Sequence, residues 1–175
     1  MHREGKILAV AVYPKTSNEG IWWGAKAHDY EAIGSTVDHV KIMTYDYHTS
    51  ATGAGEIAPL SWVEEVMKYA ITIIPKEKVY MGLNFYAYDW LGNTANARTY
   101  SQVQSLIAAH SPKIEMTTEK EKTFVYKDNA GRTRTVYFPD SETVSIRVEL
   151  ARKYGIGGVG IWRLGGEDDK VWEVL

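Results

Sequence analysis

The stretch from Val37 to His48, VDHVKIMTYDYH, constrains the fold of this chain more than any other. Residues alternate between two faces from Val40 to Tyr45, and a polar-aromatic end is followed by a loop and a segment with helical periodicity. A buried strand, a loop and a helix form the first half of a β-α unit in a parallel sheet. Because ligands of such folds gather at the carboxyl ends of the strands, Tyr45 and Asp46 lie where a binding site is expected.

Three further segments read as strands of the same sheet. They are Lys6–Tyr13, Lys78–Trp90 and Gly157–Leu164, each apolar and each ending in an aromatic or polar stretch. Ser61–Ile74 predicts a helix between the second and third strands, since Ser61 and Glu64 form a capping box and Pro75 follows. Strand, helix and strand in this order imply a right-handed crossover into a parallel α/β sheet.

Residues 92–146 differ in pattern from the parallel strands. They combine one helical segment with short segments of period-two alternation, which predicts a small α+β insertion. Thr99–His110 predicts a helix, and three short strands follow at Ile114–Lys120, Lys122–Lys127 and Arg132–Phe138. The last two strands are expected to form a hairpin through residues 128–131. A final helix is predicted from Asp140 or Ser141 to Tyr154, ended by Gly155.

Shorter features precede the second strand. Asp29–Ile33 predicts one or two helical turns ended by Gly34. Trp22 and Trp23 fall in a predicted loop, where at least one of them is expected to be exposed.

The composition excludes several classes of function. The 175 residues carry a formal charge of −2, which gives no broad electrostatic reason to bind nucleic acid. Cysteine is absent, so disulfides, thiol catalysis and zinc-thiolate sites are excluded. No histidine cluster predicts a metal, no cofactor is expected, and no segment reaches the ~20 apolar residues of a membrane span. The start reads as a strand with no signal peptide, and the compartment stays open.

Strand parity groups the residues that face the carboxyl-terminal mouth of the sheet. With Tyr45 inward, the strands carry mainly small residues deep and an aromatic residue at the mouth. The inward set is Ala9, Ala11, Tyr13, Met43, Tyr45, Gly82, Asn84, Tyr86, Gly158, Gly160 and Trp162. The mouth is either a binding site or a set of large residues that seal a barrel or sheet edge. Asp46 points outward on strict alternation and reaches the mouth only if the backbone turns there.

Four segments together resemble the catalytic domain of family 18 glycoside hydrolases, most closely the bacterial branch of spore-cortex-lytic and sporulation glycosylases. They are MTYDYH, the loop with Ile57-Ala58-Pro59 and Trp62, KVYMGLNFYAYDW, and GVGIWRLGGED. The resemblance implies a (β/α)8 TIM barrel of which this chain supplies strands five to eight, its C-terminal half. Residues 1–91 and 147–175 would form the partial barrel, and 92–146 the insertion between strands seven and eight.

The resemblance also implies a reaction, the cleavage of β-1,4 bonds of N-acetylhexosamine polymers, peptidoglycan or chitin, by substrate-assisted retention. Tyr45 and Asp46 match the residues that position the acetamide group. Met43, Tyr86 and Trp162 match sugar-binding positions, and parity adds Tyr13 and Asn84. The family's proton donor lies in a D-x-x-D-x-D-x-E type motif that does not occur here, and Glu56, Glu167 and Asp168 match no family acid. We therefore expect the chain alone to be inactive or nearly so.

Two alternatives remain open. The chain could be a non-catalytic, lectin-like sugar-binding module, or a small doubly wound domain of unrelated function. The GIGGVG run invites a nucleotide-loop interpretation, but its glycines lie in a strand and do not open a helix, which disfavours it. The expected partner is an N-acetylated glycan. The open sheet edges predict either a homo-oligomer or association with the missing N-terminal half-barrel. Members of this family are often extracellular or spore-associated.

Overall fold

The computed structural model describes residues 2–19 and 23–175. Internal contacts divide the chain into two units. The first contains the residues up to Thr44, Ser61–Leu83 and Glu149–Gly160; the second contains Tyr45–Leu60, Asn84–Val148 and Ile161–Leu175. The strands are β1 (Ala9–Val12), β2 (His39–Ile42), β3 (Val79–Asn84), β4 (Ala87–Leu91), β5 (Thr94–Arg98), β6 (Glu115–Met116), β7 (Lys122–Lys127), β8 (Thr133–Phe138) and β9 (Gly158–Trp162). The α-helices are α1 (Trp23–Lys26), α2 (Tyr30–Thr36), α3 (Leu60–Ala70), α4 (Tyr100–His110) and α5 (Ser141–Tyr154), and short 3-10 turns occur at His2–Glu4, Lys76–Lys78 and Asp169–Glu173.

The first unit is built on a four-stranded sheet in the order β1-β2-β3-β9. β2 pairs in parallel with both β1 and β3, as expected from the strand-helix-strand order. One face of the sheet presents the fully buried side chains of Val12, Val40, Ile42, Val79 and Met81. The buried stripe of α3, consisting of Val63, Val66, Met67 and Ala70, supplies further core of this unit. The sheet, as described, is open: the strand order does not close into a barrel within residues 2–19 and 23–175.

The opposite face of this sheet carries the residues that parity had grouped as inward. Ala11 pairs with Lys41, and Lys41 with Tyr80, so these three residues form one row. Gly158 lies against the Tyr80 ring and Gly160 against the Lys41 side chain. Ala11, Gly158 and Gly160 therefore share one face of the paired strands, as parity grouped them. Ala11 and Lys41 are exposed on this face.

The parallel strands and α3 are shorter than their hydrophobic patterns predicted. β2 ends at Ile42 and α3 at Ala70, while Ile74 remains buried in hydrogen-bonded turns after the helix. The hydrophobic pattern shows which side chains face the core. Because residues beyond the last backbone hydrogen bond of a strand or helix can still be buried, the pattern is longer than the element.

The prediction that Gly34 ends a helix was wrong. α2 continues to Thr36, and Gly34 lies buried inside it. A Cβ atom at this position would stand 3.1 Å from Cγ1 of Ile74, so the glycine inside α2 allows the Ile74 side chain to pack closely against the helix. Trp23, at the start of α1, is 81% exposed as expected, whereas Trp22 lies outside the described residues.

The predicted strand Lys78–Trp90 is two strands. β3 belongs to the parallel sheet and β4 to a separate antiparallel sheet, with a break at residues 85–86. The uninterrupted apolar run hid the break, since it contains no proline and only one glycine. β5, which pairs along β4 as an edge strand, was not predicted because TANAR alternates polar residues only with alanine, which is depleted in strands.

The second unit is built on a five-stranded sheet in the order β5-β4-β8-β7-β6. Its core contains Ala87, Val103, Phe124, Val136 and Phe138, among others. The predicted capping box of α4 is present, because Thr99 and Gln102 exchange side-chain to backbone hydrogen bonds. The predicted hairpin joins β7 to β8, and the Asp128 carboxylate accepts from the backbone of Ala130 and Arg132 in its turn. In the described part of the chain, none of the helices is both long and apolar enough to cross a bilayer.

Candidate functional site

Asp46 lies in the second unit, and its backbone has left the strand conformation. Its φ of 61° places it in the left-handed region, which is uncommon for a residue other than glycine. Asp46 therefore departs from strict strand alternation, as the sequence prediction for it required. Its Oδ1 atom accepts hydrogen bonds from the Tyr86 hydroxyl at 2.5 Å and from the Tyr88 hydroxyl at 3.1 Å.

The tyrosine hydroxyls around Asp46 stay protonated over a wide pH range. Burial, followed by the negative charge of Asp46, raises the pKa of Tyr88 to about 12. The same two causes raise the pKa of Tyr45 to about 12 and shift that of Tyr86 further upward. A neutral phenol is a hydrogen-bond donor, so this cluster combines hydroxyl donors with a carboxylate acceptor. The amide group of a ligand has an N–H donor and a carbonyl acceptor, so it can bond to both kinds of group.

The aromatic rings of the cluster contact one another edge to face. Ring centroids lie 6.2 Å apart for Tyr45 and Tyr86, and 5.2 Å apart for both Tyr86 with Tyr88 and Tyr88 with Trp90. These distances fall within the favourable range for aromatic pairs. The row fixes the orientation of the hydroxyls that meet Asp46.

A pocket of about 340 Å³ opens beside this row, within the second unit. Asp46, Tyr86, Tyr88 and Trp162 line it together with the segment after β9. The Trp162 side chain is 58% exposed, and its carbonyl accepts from the Phe85 amide at 2.7 Å, which ties β9 to the β3–β4 junction. An exposed indole beside hydrogen-bonding groups suits the apolar face and polar rim of a sugar ring.

The remaining predicted site residues have other surroundings. Asn84 is 3% exposed and its side-chain amide donates to the Tyr86 carbonyl at 3.1 Å, so it supports the tyrosine backbone. Met43 and Tyr13 belong to the first unit. There Met43 is half-buried and its amide donates to the Val12 carbonyl, while the Tyr13 ring stacks on His28 at 5.1 Å.

Two acidic side chains near the C-terminus accept hydrogen bonds from backbone amides. The Glu167 carboxylate accepts from the amides of Gly165 and Gly166 at 2.6 and 2.7 Å. Asp168 is 7% exposed and accepts from the Ser141 and Lys170 amides. Across residues 2–19 and 23–175 no group of three or more acidic or histidine side chains is placed to hold a metal ion.

Sequence reasoning missed Tyr88 and Arg98, which both line the pocket. A signal for Arg98 was present in Gly92-Asn93, a two-residue turn typical of hairpins, which returns the chain as β5 alongside β4. The register then places Arg98 opposite Ala87. For Tyr88, its spacing of two from Tyr86 along an extended segment was the available signal.

The sequence matches a known enzyme family over most of its length. The model of the glycosyl hydrolases family 18 matches residues 2–168. The chain is 34% identical to the cortical fragment-lytic enzyme of Bacillus subtilis, over 99% of this chain and 42% of that protein.

Solved structures give the same result. The spore cortex-lytic enzyme SleL of Bacillus cereus superposes with a TM-score of 0.91 at 31% identity, covering 97% of this chain and 41% of that one. A chitinase from Chromobacterium violaceum superposes with a TM-score of 0.93 at 28% identity, covering 99% of this chain and 55% of that one. The chain thus spans about two fifths of the cortex-lytic proteins and about half of the chitinase.

Proposed function

Because the chain belongs to glycosyl hydrolase family 18, in its spore-cortex-lytic branch, we propose that it forms the acetamide-binding side of a cleft for N-acetylhexosamine polymers. The polymer is peptidoglycan or chitin. The observation that carries this proposal is Asp46 at a φ of 61°, held by Tyr86 and Tyr88 in a pocket that Trp162 also lines.

In the proposed reaction the substrate's own acetamide oxygen attacks the anomeric carbon, and the configuration is retained. Tyr45 donates to that oxygen, Asp46 accepts from the acetamide N–H, and Trp162 packs under the sugar. Such a clamp supplies the rigid positioning that an internal nucleophile needs. Asn84 is proposed to support the same subsite, and the sugar-binding roles of Met43 and Tyr13 in the first unit stay predictions.

The glutamic acid that protonates the leaving oxygen is proposed to come from outside these 175 residues. The open four-stranded sheet supports the proposal that β1, β2, β3 and β9 correspond to strands five to eight of a (β/α)8 barrel, with residues 92–146 as an insertion. This chain alone would then bind glycan without cleaving it.

The experiment measures both properties on the same protein. Chito-oligosaccharide binding is followed by tryptophan fluorescence, and new reducing ends are counted on the oligosaccharide and on cortex peptidoglycan. We expect binding that Trp162→Ala abolishes, and turnover at least about 10² lower than that of an intact relative, the usual cost of losing a general acid. Robust turnover by this chain would contradict the missing-acid proposal.

A lectin-like module remains the second candidate, since the Glu167 and Asp168 carboxylates are already held by backbone amides. A hybrid that joins this chain to the N-terminal part of the catalytic domain of SleL from Bacillus cereus distinguishes the enzyme from the lectin. Restored cleavage supports the enzyme, whereas binding with no cleavage in that hybrid supports the lectin.

A further inference from the structure

The loop between Asp46 and α3 runs out and back within the second unit. Its two arms pair through the backbone, since the Tyr47 amide donates to the Ile57 carbonyl at 2.9 Å. The returning arm is buried at Ile57 and Ala58, which are 0% and 1% exposed. Because Tyr47 directly follows Asp46, a group that holds the returning arm also restricts the backbone at Asp46.

Two charged side chains from outside the loop hold both backbone groups of Ala58. The Glu121 carboxylate accepts from the Ala58 amide at 3.3 Å, and the Arg147 guanidinium donates to the Ala58 carbonyl at 2.5 Å. Arg147 also donates to the carbonyls of Lys120 and Thr143, at 3.1 and 3.2 Å. Its planar fork of N–H donors therefore connects the loop to α5 and to the segment before β7.

This arrangement is an expensive way to gain stability. Glu121 has no exposed area and Arg147 is 3% exposed. Each keeps a buried polar atom, Oε1 of Glu121 and Nε of Arg147, that has no hydrogen-bond partner among the described residues. Such burial is unfavourable, and apolar side chains of similar volume in place of buried charges are often neutral or stabilising. A requirement for one fixed loop conformation accounts for the two charges better than stability does.

Asp46 is the residue that needs this constraint. Its left-handed backbone is uncommon for a residue other than glycine, and such a conformation persists only where the surroundings determine it. We propose that Arg147, together with Glu121, is a positioning residue for glycan recognition, which holds the loop at Ala58 so that the Asp46 carboxylate faces the acetamide group. This role rests on the proposed function, in which Asp46 accepts from the acetamide N–H. Arg147 is not among the described residues that line the pocket, so it acts on the glycan only through the loop.

The ratio of the affinities for chitotetraose and cellotetraose tests this role, because the two sugars differ in the acetamide group. Calorimetry compares the whole chain with its Arg147→Met variant. We expect the variant to lower the ratio by about tenfold, the worth of about one hydrogen bond to a charged group. The fall should come from weaker chitotetraose binding, with little change for cellotetraose. An unchanged ratio overturns the positioning role.

A second variant keeps the test valid if Arg147→Met fails to fold, since that change leaves the Glu121 carboxylate buried without its cation. Glu121→Gln/Arg147→Met leaves neither charge at this site and should show the same fall in the ratio. Arg152→Gln replaces an exposed arginine on the same helix. It is the matched control and should leave the ratio unchanged.

Combination with Asp46→Asn shows whether Arg147 acts through Asp46. If it does, Glu121→Gln/Arg147→Met lowers the ratio no further once residue 46 is asparagine. A further fall in that background would mean that Arg147 affects the glycan by another route, which overturns the positioning role.

Hydrogen exchange separates positioning from a general loss of stability. In Glu121→Gln/Arg147→Met the Tyr47 amide, which pairs with Ile57, should exchange faster, while the amides of the β7–β8 hairpin keep their rates. Equal acceleration in both segments would give Arg147 a purely structural role and overturn the proposal.

The outcomes also separate the positioning role from the function on which it rests. If the unmodified chain prefers chitotetraose and both Arg147 variants keep that preference, only the positioning role fails. Equal affinity of the unmodified chain for the two sugars contradicts the proposed function and the positioning role with it.

Discussion

Asp46 is a residue whose backbone conformation, hydrogen bonds and position all serve one pocket. A left-handed conformation costs a non-glycine residue about 1 to 2 kcal/mol, although aspartate and asparagine tolerate it best. The hydrogen bonds that two tyrosine hydroxyls donate to its carboxylate offset part of this free-energy cost. Strain at a ligand-facing residue is typical of functional sites.

Replacing Asp46 by asparagine tests the carboxylate with little change in the backbone. Asparagine also adopts a positive φ, so we expect the free energy of unfolding to change little. Hydrogen bonds to a charged group contribute about 1.5 to 3 kcal/mol, so chito-oligosaccharide affinity should fall by about tenfold or more. Calorimetry on D46N, with D128N in the β7–β8 turn as the control, measures this, and an unchanged affinity would exclude Asp46 from the site.

Among the structural elements, Asp89 links its own strand to three other strands of the antiparallel sheet. It lies on β4 and meets Arg98 on β5, Arg134 on β8 and Tyr126 on β7. Removing one partner of a buried ion pair leaves charge uncompensated, so Asp89→Asn should lower the free energy of unfolding by about 3 to 5 kcal/mol. Urea unfolding measures this difference. The comparison is the surface pair of Arg132 with Asp128, whose side chains are 59% and 14% exposed, and D128N should cost under about 1 kcal/mol. Equal losses would contradict the assignment.

Glu121 anchors the loop that runs from Asp46 to α3. It is fully buried, its Oε2 accepts from the Ala58 amide at 3.3 Å, and Arg147 donates to the Ala58 carbonyl at 2.5 Å. Burial raises the pKa of Glu121 from 4.5 to about 7, although the Arg147 charge opposes the shift. The negative charge of Glu56 adds to the upward shift in the pKa of Glu121.

This upward shift predicts how stability depends on pH. An acid whose pKa is higher in the folded state contributes fully below its unfolded value and loses that contribution as pH rises through the folded value. The protein should therefore lose stability relative to Glu121→Gln between pH 4.5 and about 7, by at most about 1.4 kcal/mol per pH unit. Urea unfolding across this range checks it, with exposed Glu149→Gln as the control. Parallel profiles for the protein and Glu121→Gln would exclude Glu121 as the titrating group.

For the molecule as a whole, the sequence predicted the parallel strands, helix α4 and the β7–β8 hairpin, because each has a local signal in periodicity, capping or turn residues. It did not predict β5, whose pairing depends on β4 and not on its own side chains. It also could not show the break in Lys78–Trp90, since the two sheets demand the same alternation. The positive φ of Asp46 and the position of Arg98 in the pocket required coordinates, because both follow from the tertiary structure.

The exposed face and edges of the parallel sheet lead to a prediction about association. Ala11 and Lys41 lie uncovered on that face, and unpaired edges favour pairing with another chain. We expect light scattering to report a dimer or a larger assembly of this chain in isolation. A monodisperse monomer with a well-dispersed amide spectrum would contradict this prediction.

Recognition of an N-acetyl group is the property proposed for the pocket at Asp46. Calorimetric titration with chitotetraose and cellotetraose tests it most directly, because the two share a β-1,4 backbone and differ in the acetamide. The account predicts that chitotetraose binds at least about tenfold more tightly, the worth of about one charge-assisted hydrogen bond. Equal affinity for the two sugars would contradict it.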